Sequence, residues 1–305
     1  MSLGLSTAWN AFRHENGKDL IFEIKELGFK DVELSFNLTP GILRDIEELV
    51  ARGDIAVSSV HNYCPIPEGL SRQDALPDCY ALSSLDEKIR ALAIKFTKIS
   101  IDTASRLGAK AVVIHCGRVE IADRTRRLIH LLETSGNNSL AFIRARDDAI
   151  KERAQDSKPF FENTLKSLEV LDEYAGRLDI RLGIETRFYY REIPSFEEIF
   201  ILLEKFKGSC IHYWHDTGHA QLMENLKIAR HKDYLERYAE RLIGIHLHDI
   251  LGGDDHRTPG KGDFNFSVLL PYLHSKVIKI LETHHPATSQ EIKEGAHILS
   301  QLFNE

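Results

Sequence analysis

The stretch IRLGIETRFYYREIPSFEEIFILLEKFKGSCIHYWHDTGHA, residues 180–220, reads as strand, helix, strand. IRLGIET (180–186) and IHYWHDT (211–217) are short runs rich in β-branched, aromatic and aliphatic residues. Between them, SFEEIFILLEKF (195–206) spaces its apolar residues at three- and four-residue intervals, and Ser195 followed by Glu198 has the spacing of a capping box. Each strand ends on a carboxylate, Glu185 and Asp216. Two strands joined through a helix predict a parallel pair.

The same alternation runs outward in both directions. Further strands are expected at LGLSTAW (3–9), DVELSF (31–36), IAVSSVHN (55–62), AVVIHCG (111–117), LIGIHLHD (242–249) and VIKILET (277–283). Helices are expected at 20–28, 41–53, 87–108, 160–178, 231–242 and 288–303, the third ending on Gly108. Eight strands alternating with helices predict a closed α/β architecture, the parallel eight-stranded (β/α)8 TIM barrel. An open doubly wound sheet would want a glycine-rich phosphate turn after its first strand, and LGLSTAWNAF has no G-x-G-x-x-G. With no repeat or linker, residues 1–305 read as one domain, with long βα loops at 64–86 and 118–157 on the active-site face.

Composition narrows the class of function. The chain has 305 residues, 43% hydrophobic, and a formal net charge of −7, which excludes a globally basic nucleic-acid coat. No stretch approaches about 18 uninterrupted apolar residues, and the N-terminus carries no basic start followed by an apolar run, so a cytoplasmic protein without membrane association is expected. The four cysteines lack C-x-x-C spacing and read as reduced thiols. The fifteen histidines are the unusual feature.

Their placement, together with the acids, is informative. Strands end at His61, His115, Glu185 and Asp216; His219 follows three residues later. The seventh strand carries His246, its loop carries Asp254 and His256, and the eighth ends at Glu282. One such residue is ordinarily a hydrogen-bonded structural group, but nine on one rim predict a metal site. Imidazole and carboxylate suit Zn²⁺, Mn²⁺ or Fe²⁺, and cations would relieve the repulsion among the acids. Glu185, Asp216, His246 and Glu282 would hold one ion; the others would hold a second and third. His248, His212, His215 and Cys116 are expected to face the helices, away from the axis; for His215 and Cys116, next to Asp216 and His115, this follows from alternation along the strand. His284 and His285 are left unassigned, and His14, His130, His231, His274 and His297 read as surface residues. A binding or scaffold module would give no reason to gather costly ionisable groups at one rim.

SVHNY (59–63), VIHCG (113–117), GIET (183–186), HDTGHA (215–220), HLHD (246–249), DDH (254–256) with PGKGDF (259–264), and ILET (280–283) resemble the xylose-isomerase-like barrel superfamily, which includes endonuclease IV and sugar isomerases and epimerases. The resemblance to endonuclease IV implies three zinc ions: one on His61, His115 and Glu185; a second sharing Glu185 with Asp216, His246 and Glu282; a third on His219, Asp254 and His256. Manganese or iron are the alternatives to zinc. The stretch after Glu185, TRFYY, departs from the glycine-containing loop expected there.

Two reactions follow from this. The reading placed first is hydrolysis of a phosphoester, in a sugar phosphate or in abasic or damaged nucleic acid, with Glu185 bridging two ions and Arg118 and Arg187 clamping a phosphate. The insertion 118–157, with its arginines and lysine, would be a helical lid or a nucleic-acid contact. The alternative is single-metal isomerisation or epimerisation of a small sugar or sugar phosphate through an enediolate, with Glu185 and Glu282 as acid and base and His219 hydrogen-bonding a substrate oxygen. Trp9, Phe12, Tyr63, Phe188, Tyr189 and Trp214 suit sugar faces, with Trp214 the best candidate for core packing; Lys261 of PGKGDF completes the expected substrate contacts.

Overall fold

A computed structural model describes residues 3–303 of the chain. Among the described residues the strands are β1 (Gly4–Ser6), β2 (Asp31–Leu34), β3 (Ala56–His61), β4 (Ala111–Ile114), β5 (Arg181–Glu185), β6 (Ile211–Asp216), β7 (Leu242–Leu247), β8 (Asp249–Leu251), β9 (Asp254–Arg257) and β10 (Ile278–Leu281). Eight of them form a closed parallel barrel in the order β1-β10-β7-β6-β5-β4-β3-β2, as the sequence predicts. The antiparallel pair β8–β9 is an addition in the loop after β7.

Helices α1 (Gly17–Glu26), α2 (Pro40–Ala51), α3 (Glu87–Leu107), α4 (Thr125–Ser135), α5 (Leu140–Gly176), α6 (Phe196–Lys205), α7 (Thr217–Asn225), α8 (His231–Tyr238) and α9 (Ser289–Phe303) surround it. Their ends follow from local chemistry. Thr39 caps α2 with Pro40 at its first position, and Asp86 caps α3, which stops at Gly108 with φ +71°. The capping box of Ser195 and Glu198 opens α6. No helix among the described residues is long and apolar enough to cross a membrane.

The segment 118–157, expected as a long βα insertion forming a helical lid or a nucleic-acid contact, holds α4 and the first half of α5. Helix α5 starts at Leu140, not at 160, and runs through Pro159. Proline removes one hydrogen bond there, but packing of α5 on α3 and α4 holds the helix together. Several arginines of this segment are engaged within the protein. Arg153 is buried, pairing with Glu198 on α6 and donating to the Glu192 carbonyl; Arg124 pairs with Glu152, and Arg146 with Asp147.

Below the rim, Ala111, Val113, Trp214, Ile243 and Ile280 fill the barrel interior. Trp214 is fully buried and supports His246, with ring centroids 5.1 Å apart. It faces Gly244 across the β6–β7 pairing. A Cβ at Gly244 would lie 2.0 Å from Trp214 Cζ3, so only glycine lets the indole occupy the centre. Gly244→Ala is therefore expected to destabilise the protein by about 1–3 kcal/mol through overpacking, read as a lower denaturation midpoint in urea; an unchanged midpoint would mean that the indole has room to move.

Candidate metal centre

His246 on β7 is the hub. Its Nδ1 lies 2.9 Å from Glu185 Oε1, 2.9 Å from Glu282 Oε2 and 3.6 Å from Asp216 Oδ2. These acids arrive from the ends of β5, β10 and β6, and all four groups are buried. One imidazole nitrogen carries at most one proton and cannot satisfy three carboxylates. A divalent cation among them can, and the four donor atoms lie within 4.8 Å of one another. The donor set therefore fits a divalent metal.

The other nitrogen identifies a residue absent from the sequence-based site. His246 Nε2 lies 3.0 Å from Glu33 Oε1, and Ser59 Oγ donates to Glu33 Oε2 at 2.7 Å. Glu33 is fully buried on β2. It holds the imidazole proton on Nε2 and leaves the Nδ1 lone pair for a metal. The signal was the acid inside DVELSF, an apolar strand where only a paired carboxylate is tolerated.

Electrostatics follow from burial and proximity. Burial alone would depress the His246 pKa, but the carboxylates of Glu282 and Glu33 outweigh it and raise it well above the usual range. Burial likewise favours neutral Glu185, yet His115 and the other imidazoles hold it well below the ordinary carboxylate range. His219 is raised to about 8, because Asp216, with Asp255 next, overcomes burial.

Three further groups flank the hub. His61, His115 and Glu185 form one: His115 Nε2 is 2.5 Å and His61 Nε2 is 3.8 Å from Glu185 Oε2. Asp216, His219, His248 and His256 form a second, and His256, Glu282 and His284 a third. Eight of the nine residues expected at the rim thus converge. The ninth does not. Asp254 points outward, its side chain 70% exposed and paired with Arg257. Its neighbour Asp255 turns inward, 2.9 Å from His256 Nδ1 and 3.4 Å from His219 Nε2. The D-x-H spacing suggested Asp254, but the β8–β9 hairpin sets the facing of this pair.

His248 also departs from expectation. It stands two residues from His246, and residues two apart along an extended strand share a face, so it lies on the axis side. His248 turns back over Gly218, where a Cβ would lie 2.2 Å from its ring, and its Nε2 reaches Asp216 Oδ1 at 2.9 Å. Its Nδ1 accepts the His256 backbone N–H, which leaves Nε2 as a donor that orients Asp216. His231, expected at the surface, is buried and hydrogen-bonds His215 at 2.9 Å behind the barrel. His284 stacks on His256 at 3.8 Å and lines the cavity.

The cavity above the hub is about 270 Å³. Phe36, Phe188, Tyr189, His61, His115 and Arg187 are among its walls. The expected substrate contacts fare unevenly. Arg187 is in place but occupied, 2.7 Å from Glu185 Oε2 and 3.1 Å from Glu192 Oε1. Arg118 is partly exposed and pairs with Asp78. Tyr63 is buried away from the cavity, its hydroxyl donating to the Tyr80 carbonyl while its ring meets Phe96. Lys261 lies outside, 3.7 Å from Glu291, in a neighbouring hollow. Trp9 is buried with its indole N–H on the Ala287 carbonyl, and Phe12 is exposed beside His285.

Substitutions at three positions check this assignment. Glu33→Ala should weaken Mn²⁺ binding by roughly 10–100-fold, as loss of such outer partners does, with Glu33→Gln intermediate; calorimetric titration that finds wild-type affinity in Glu33→Ala would refute its role. Asp254→Ala should keep wild-type turnover, whereas Asp255→Asn should lose at least about tenfold; the reverse ranking would restore the spacing-based choice.

Comparison with known proteins agrees with this architecture. A family model described as xylose isomerase-like TIM barrel matches residues 21–302. A protein of Sinorhizobium fredii, described as uncharacterized protein y4fM, is 24% identical over 283 residues, covering 86% of this chain and 80% of its own. Among solved structures, a D-tagatose 3-epimerase-like protein superposes with a TM-score of 0.68 at 19% identity, covering 100% of this chain and 97% of its own. An L-ribulose 3-epimerase gives 0.70 at 15% identity, covering 100% and 95%. The 3-keto-D-glucoside 4-epimerase YcjR of E. coli gives 0.68 at 15%, covering 99% of each. Barrel topology and the span of the family match lead to one conclusion: this chain belongs to the xylose isomerase-like TIM barrel family.

Proposed function

We infer that the protein is a single-metal isomerase or epimerase acting on a small, unphosphorylated sugar, with Glu185 and Glu282 as the acid–base pair. One observation carries this reading. The two carboxylates approach His246 Nδ1 from different strands, each at 2.9 Å, at the floor of a cavity of about 270 Å³. That volume lies just below the ordinary range of ligand pockets, roughly 300–1,000 Å³. It suits one sugar unit and not a nucleic-acid strand.

Glu185, Asp216, His246 and Glu282 would hold the ion, which when bound supplies a Lewis acid for a carbonyl and its adjacent hydroxyl. The chain does the rest. One glutamate takes the proton from the carbon next to the carbonyl, and the other returns one from the opposite face of the planar enediolate. His219, with Nδ1–H fixed on the Thr186 carbonyl, offers Nε2–H to a substrate oxygen. Phe36 and Phe188 shield the reacting face from water.

Charge separates this reading from phosphoester hydrolysis. Arg187 is the one permanent cation among the cavity-lining residues, and it is already bound by two carboxylates. It leaves little to clamp a phosphate. Of the solved structures named above, two are sugar epimerases and the third is described as D-tagatose 3-epimerase-like, which supports the same choice. The flanking His61–His115–Glu185 group favours the second reading, multinuclear hydrolysis, and metal content distinguishes the two.

The test is exchange of a substrate C–H proton in D2O, followed by NMR over a panel of free ketoses and aldoses with Mn²⁺ present. Wild-type protein should incorporate deuterium at the reacting carbon, chelation should abolish it, and Glu185→Gln or Glu282→Gln should reduce it by about 10²–10⁴-fold. Three ions per chain with phosphoester cleavage and no exchange would overturn the reading.

A further inference from the structure

The group His61, His115 and Glu185 has the donors of a second divalent site, two imidazoles and a carboxylate, with ligand atoms within 4.8 Å of one another. All three residues line the cavity. His61 Nδ1 faces the Asn62 carbonyl at 3.1 Å, which places the proton on Nδ1 and turns the Nε2 lone pair toward Glu185. Single-metal chemistry at His246 uses Glu185 but gives His61 and His115 no task.

Arg187 bears on the same atom. Its guanidinium NH1 lies 2.7 Å from Glu185 Oε2, the oxygen that also meets His115 Nε2 at 2.5 Å. The other oxygen, Oε1, faces His246. Glu185 is thus divided: Oε1 serves the hub, and Oε2 serves a fixed cation and an imidazole. Arg187 is 7% exposed, and Glu192 grips its NH2 at 3.1 Å from behind. Glu192 is itself anchored, accepting the Tyr189 backbone N–H at 2.9 Å. The arginine is therefore held in place from two sides, and its charge is little screened by water.

We propose that Arg187 is a resident cation in place of a second metal, occupying Glu185 Oε2 and keeping the centre mononuclear. A divalent ion on His61 and His115 would need that oxygen as its third ligand and would sit against a buried positive charge. The proposal rests on the single-metal reading above and accounts for the flanking histidines as a metal site closed by one side chain. The arginine lies in TRFYY, the stretch that departs from the endonuclease pattern.

The experiment is equilibrium dialysis of purified apo-protein against Co²⁺ or Mn²⁺, with metal per chain measured by elemental analysis and Mn²⁺ spin coupling by EPR. Wild type should hold one ion. Arg187→Gln should hold two, the second bound at least about 100-fold more tightly than by wild type, with an exchange-coupled Mn²⁺ signal. Adding His61→Ala to that variant should remove the second ion alone, and Arg187→Lys should remain at one. Because Arg187→Gln leaves Glu192 unpaired, Arg187→Gln/Glu192→Gln is made beside it, with circular dichroism confirming the fold. Folded variants that still bind one ion overturn the proposal and leave the single-metal reading standing. Wild type that binds two or three overturns that reading itself.

Discussion

Buried negative charge gathered around one imidazole is the constraint on which the site depends. Glu33, Glu185, Asp216 and Glu282 all reach His246, and none of them has appreciable contact with solvent. Such a cluster is unfavourable unless cations and donors compensate it. The protein supplies part of that compensation from within: Arg187 and His115 on Glu185, His248 on Asp216, and Ser59 on Glu33. What remains is a point facing Nδ1 with a surplus of carboxylate oxygens, and a divalent ion answers that surplus.

The barrel makes this concentration possible. Parallel strands all deliver their C-terminal ends to one rim, so residues far apart in sequence meet without long loops. Trp214 fills the interior beneath them and sets the height at which His246 sits, and Gly244 makes room for it. Asp249 then accepts N–H groups from Ile250, Gly260 and Phe264, tying the β8–β9 hairpin and PGKGDF to the end of β7. That anchoring carries Asp255 and His256 over the site.

Legibility in the sequence tracked regularity of the backbone. Within strands, period-two alternation correctly pointed His61, Glu185, Asp216 and His246 to the axis and His215 away from it. His248 lies two residues from His246 and shares its face, as period two requires, against the expectation that it faces the helices. The choice between Asp254 and Asp255 belongs to a hairpin that no periodicity announced. Tyr63 and Lys261 were chosen for residue type near a motif, yet one packs against Phe96 and the other pairs with Glu291. Glu33 was passed over because an acid inside an apolar strand, taken alone, names no partner.

Strand order, the closed barrel and the imidazoles and carboxylates at its rim were readable from the chain, because helix and strand periods are local properties of a polypeptide. Tertiary structure alone decided how charges pair: Glu33 with His246, 213 residues away, and Arg187 on one oxygen of Glu185. Those pairings depend on which atoms of a side chain face which neighbour once the barrel has closed. Even the short separation between Glu185 and Arg187 leaves open where the guanidinium points until Glu192 is brought behind it.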